Sequence, residues 1–137
     1  MVRQLVIALL FSMGVIVAQT STPTPSSDLT PLFAHIWRIE TPTSYPNSGS
    51  IYIFLPSGTL LETSCVETYR IATWKVDPSS PRTLVVTEDG SPAFTAAISE
   101  LTPTTLRFEQ NLHFAKERRD FSLTAIDKEF LCPDMPK

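Results

Sequence analysis

The chain has 137 residues, with 11 Lys and Arg against 14 Asp and Glu, a formal charge of −3. That length predicts one domain. The mildly acidic balance argues against electrostatic capture of nucleic acid, which needs clustered bases. The densest basic run, Lys116-Glu117-Arg118-Arg119-Asp120, is broken by two acids and reads as a solvated loop between strands.

The first eighteen residues stand apart. Arg3 precedes an apolar run from Leu5 to Val17, softened only by Ser12 and Gly14, and Ala18 offers a small residue for cleavage. This is the pattern of a secretory signal peptide, and it is short for a membrane span. A retained anchor is the alternative. Cleavage predicts a secreted or periplasmic protein with no stable membrane span. Losing Arg3 leaves 10 bases against 14 acids, a formal −4. No cysteine lies at the cleavage point, which argues against a lipoprotein.

Residues 19–32 follow as a tether. Its stretch from Thr20 to Ser27 is TSTPTPSS, proline and hydroxyl side chains with nothing to bury. Asp28 to Leu32 offers one helical turn that Ser27 or Asp28 could cap, with Pro31 limiting its length.

The folded domain is expected over 33–137. Phe33 to Glu40 reads as a first strand, with Phe33, His35, Trp37 and Ile39 on one face. After a loop rich in breakers come Ser50 to Leu55, apolar on both faces, and the turn Pro56-Ser57-Gly58. Thr59 to Cys65 and Tyr69 to Val76 are the third and fourth strands. The fifth is Arg82 to Glu88, and Asp89-Gly90 is a hairpin signal, extended by Ser91-Pro92. Ala93 to Ser99, Thr105 to Asn111 and Asp120 to Ile126 complete the set, and the tail carries Cys132. Eight short strands with no long helical period predict an antiparallel meander. Closure removes its two edges, so an all-β, eight-stranded up-and-down barrel is expected. Such a barrel either fills with side chains or holds one small ligand.

Cys65 and Cys132 are the only cysteines. In an exported chain they predict one disulfide, contributing about 4 kcal/mol by restricting the unfolded chain. Neither lies in a CxxC, and His35 and His113 are far apart, so no metal site is expected. There is no Gly-x-Ser-x-Gly elbow, no phosphate loop among four scattered glycines and no evident acid–base pair, so neither an enzyme nor a cofactor is expected.

The run of Trp37, the aromatic strand Tyr52 to Phe54, Gly58-Thr59, Thr73-Trp74 and the Leu-rich strand Leu84 to Thr87 resembles exported bacterial lipocalin-like domains, over Phe33 to about Ile126. The chain departs from lipocalins in having His35 two residues before the Trp, no Thr-Asp-Tyr motif and no evident C-terminal helix. Arg107, Arg118 and Arg119 are each candidates for the late Arg that covers the Trp. The resemblance implies the same barrel with room for a cavity.

Two functions are carried forward. The first is binding of a small apolar or amphipathic ligand inside the barrel, lined by Tyr52, Phe54, Arg70 and Trp74. Arg70 shares a strand face with Ala72, Trp74 and Val76. If that face is inward, its guanidinium needs a carboxylate such as Glu62 or an acidic ligand; if outward, Tyr69, Ile71 and Thr73 fill the core. The second is a solid barrel that engages another exported protein, as an interaction or inhibitor module, through its N-terminal arm or loops.

Overall fold

A computed structural model describes residues 27–41, 49–65 and 68–128. Residues 1–26 and 129–137 lie outside it, and with them the expected signal peptide, most of the expected tether and Cys132. The described chain is a short helix α1 (Thr30–Ala34) and eight strands: β1 (Ile36–Ile39), β2 (Ile51–Leu55), β3 (Thr59–Thr63), β4 (Arg70–Asp77), β5 (Ser80–Glu88), β6 (Ser91–Leu101), β7 (Thr105–Leu112) and β8 (Arg118–Ile126). Each strand pairs antiparallel with the next, and β1 pairs with β8 to close the barrel. Closure leaves the sheet without the two open edges of a flat meander.

Alternation decides what fills the interior. Trp37 and Ile39, Tyr52 and Phe54, Leu84 and Val86, Phe94, Ala96 and Ile98, Leu106 and Phe108, and Phe121 and Leu123 all point inward and are buried. On β4 the inward face is that of Arg70, Ala72, Trp74 and Val76. Ala72 is 3% exposed and Trp74 packs on the core, whereas Tyr69 and Ile71 are 67% and 60% exposed.

Two tight turns show why the chain reverses where it does. Gly58 has φ +88°, and a Cβ there would stand 3.2 Å from the Trp74 carbonyl oxygen, so only glycine fits without strain. Asp89 and Gly90 both have positive φ, 48° and 78°, as a two-residue hairpin with the right twist requires. That hairpin is tighter than the expected four-residue turn. Ser91 and Pro92 already belong to β6, opposite Glu88 and Thr87, with a bulge between Val86 and Thr87.

The N-terminus departs most from the expected strand at Phe33 to Glu40. Pro31 sits in the first turn of α1, where its missing N–H costs nothing, and the helix runs through Phe33 and Ala34. The strand therefore starts only at Ile36. Asp28 steadies the entry by accepting from the Thr30 N–H (2.9 Å) and hydroxyl (2.6 Å). Both contacts hold the Asp28 carboxyl below its ordinary value.

Strands β1, β3, β5 and β7 end at one mouth of the barrel. The opposite end carries α1 and the turns after β2, β4 and β6. There α1 acts as a plug. Leu32 is fully buried, although it stood at the end of the expected tether. The indole N–H of Trp37 donates to the Leu32 carbonyl at 3.0 Å, and Phe33 stacks on Trp74 at 5.3 Å between ring centroids.

Candidate ligand-binding cavity

The barrel is packed below and hollow above. Towards the plug, Phe54, Leu60, Leu84, Leu106 and Leu123 fill the interior with Trp37. Phe108 and Phe121, both buried, stack at 5.4 Å between ring centroids within the core. A cavity of about 500 Å³ lies at the mouth away from α1. That volume is in the range of small-molecule sites.

Register places its walls. Tyr52 pairs with Glu62, and Glu62 with Arg70, which sets three side chains abreast on β2, β3 and β4. Across the barrel, Gln110 lies between Ala96 and Arg119, and Phe94 lies opposite Leu112. Glu88, Asp89 and Ser91 come from the β5–β6 hairpin, and Phe114 from the turn after β7. Phe114 is 84% exposed, an apolar ring standing in water beside the opening.

The polar wall is organised around Arg70. Its Nη2 donates to Glu62 Oε2 at 2.7 Å, and its Nη1 lies 3.8 Å from Glu88 Oε2. Glu62 is almost fully buried, so this guanidinium compensates a charge that would otherwise be costly to desolvate. Arg119 directs Nε and Nη2 to the two oxygens of Glu117, at 2.8 and 2.9 Å. The fork lowers the carboxyl of Glu117 and raises the guanidinium, each first through the hydrogen bond.

Gln110 is different. It is 3% exposed, and its Oε1 is buried with no hydrogen-bond partner among the described residues. Buried polar atoms are nearly always paired, and since Gln110 lines the cavity a small turn of its amide would bring this acceptor to a ligand donor.

Of the four residues expected to line a site, the fold brings Tyr52 and Arg70 to this cavity. Phe54 and Trp74 stand on the same inward faces but nearer the plug. Phe54 is core, edge-on to both Tyr52 and Trp74. The Trp74 indole N–H is shared between the Leu55 and Thr59 carbonyls, both at 3.1 Å. Of the three arginines considered as the cover of Trp37, Arg107 and Arg118 point outward with surface ion pairs to Glu100 and Glu109, and Arg119 is at the mouth. Gln110 carries a signal in the sequence: it is the one polar residue on the inward series Leu106, Phe108, Gln110.

Cys65 stands just beyond β3 and is not a free thiol. Its expected mate, Cys132, lies outside the described residues. Among the described residues, no helix is long and apolar enough to cross a membrane. Comparison of the chain with family models, characterised proteins and solved structures found no match.

Proposed function

We propose that the protein is an exported, lipocalin-like barrel that holds a small amphipathic molecule in the cavity at its open mouth. One observation carries the reading. A barrel plugged at one end by α1 and packed through its lower half keeps about 500 Å³ open at the other, lined by both apolar and polar side chains. Tyr52, Phe94, Ala93 and Leu112 would take the apolar body, while Gln110 and the Arg70–Glu62 pair would meet the polar head. Export rests on the N-terminal apolar segment, and the Cys65–Cys132 bridge follows from it.

A neutral, environment-sensitive dye such as N-phenyl-1-naphthylamine tests the site. It should bind saturably with a stoichiometry of one. Ala93→Trp, which places an indole in the cavity, should abolish binding while the thermal transition is retained. Unsaturable binding, or dye binding unchanged by Ala93→Trp, would overturn the reading.

A further inference from the structure

We propose that the cavity selects amphipathic amines, molecules with an apolar body and a protonated amine head. The inference rests on the cavity being a ligand site, and three features of its walls point to the head group.

The first is Gln110. Its Oε1 is an orphan acceptor closed to solvent on a residue that lines the cavity, so a turn of the amide toward a ligand would be completed by a donor. A carboxylate has only acceptors and leaves the amide oxygen as it was. An ammonium brings three donors, and the resulting bond is charge-assisted.

The second is charge. The lining holds Glu62, Glu88 and Asp89 against Arg70 and Arg119, one acid in excess. Both guanidiniums already face carboxylates: Arg70 at Glu62 (2.7 Å) and Arg119 at Glu117 (2.8 Å). An incoming carboxylate must share one of those guanidiniums with a carboxylate already there, and adds to a negative wall. An ammonium competes with neither guanidinium for its carboxylate geometry and is drawn by the same field.

The third is aromatic surface. Tyr52, Phe94 and Phe114 present rings to the cavity, and a ring face attracts a cation while packing against an alkyl chain. The exposed Phe114 gives the chain of an amphiphile an apolar contact at the opening. A neutral alcohol would satisfy Gln110 and pack its chain on the same rings, but gains nothing from the charge or from the cation–ring attraction.

Calorimetric titration of the purified protein with decylamine, decanol and decanoate, each below its micelle concentration at neutral pH, tests this. The amine should bind about tenfold or more tightly than decanoate, the margin of a charge-assisted bond. Its advantage should shrink as salt is added. Gln110→Leu should weaken the amine about tenfold. Glu88→Gln should weaken the amine more than it weakens decanol, with the thermal transition retained. If decanoate binds as well as the amine, or neither variant moves the amine, the inference fails while the cavity remains a binding site. If none of the three binds, both fail together.

Discussion

At the scale of single residues, two carboxylates give measurable consequences. Asp77 closes the β4–β5 turn by accepting from the Ser79 N–H (2.8 Å) and hydroxyl (2.7 Å). Those bonds lower its pKa from the ordinary 3.8, the side-chain bond first. The folded carboxyl is thus more acidic than the unfolded one. Its contribution to stability is whole above pH 3.8 and is lost as pH falls through the depressed folded value. A carbon-detected NMR titration should find the Asp77 midpoint below that of Asp in an unfolded peptide, and Ser79→Ala should return it upward. A midpoint at the ordinary value would refute the turn geometry. The Arg70–Glu62 pair is a larger matter, because Glu62 is buried and Arg70 is 40% exposed. Arg70→Ala should cost about 2–3 kcal/mol in urea unfolding, less than for a fully buried pair. Replacing both together, Glu62→Leu with Arg70→Leu, should recover most of that loss. A double variant as unstable as Arg70→Ala would show that the charge pair is not what the single change disturbs.

At the scale of elements, the strands were legible and the plug only in part: the helical turn expected at Asp28 to Leu32 is present as α1, shifted to Thr30–Ala34, but its docking was not legible. Seven of the eight expected strands lie within two residues of their observed limits, because short apolar runs bounded by turn residues mark each. Phe33-Ala34-His35 continues the alternation of β1, so nothing local distinguishes helix from strand there. What decides is tertiary: Leu32 enters the end of the barrel, and its carbonyl meets the indole of Trp37. Five residues are too few to be helical alone, so α1 exists only as docked. Leu32→Ala should therefore cost about 3 kcal/mol and speed amide exchange across α1 and the β2–β3 hairpin. Protection unchanged in α1 would mean that the helix does not depend on the plug.

At the scale of the whole molecule, alternation gives the side of the wall on which a residue lies but not its height in the barrel. Tyr52 and Phe54 are equivalent in sequence, two positions apart on one inward face; the stagger of the closed sheet puts the first beside the cavity and the second in the core. Arg70 and Trp74 divide in the same way along β4. Gln110 could be seen as a polar residue in an apolar series, but its missing partner depends on Ala96 standing opposite and on Arg119 turning to Glu117. The barrel follows from patterns within each strand, and the cavity from relations between strands.

The central claim is that a ligand enters the mouth away from α1. Backbone and side-chain amide NMR spectra recorded during titration with a small amphiphile read this directly. Saturating shifts should centre on Tyr52, Phe94, Gln110 and Leu112, with Phe33, Phe54 and Trp74 little moved. Shifts centred on Phe33 and Trp74, or none that saturate, would contradict it.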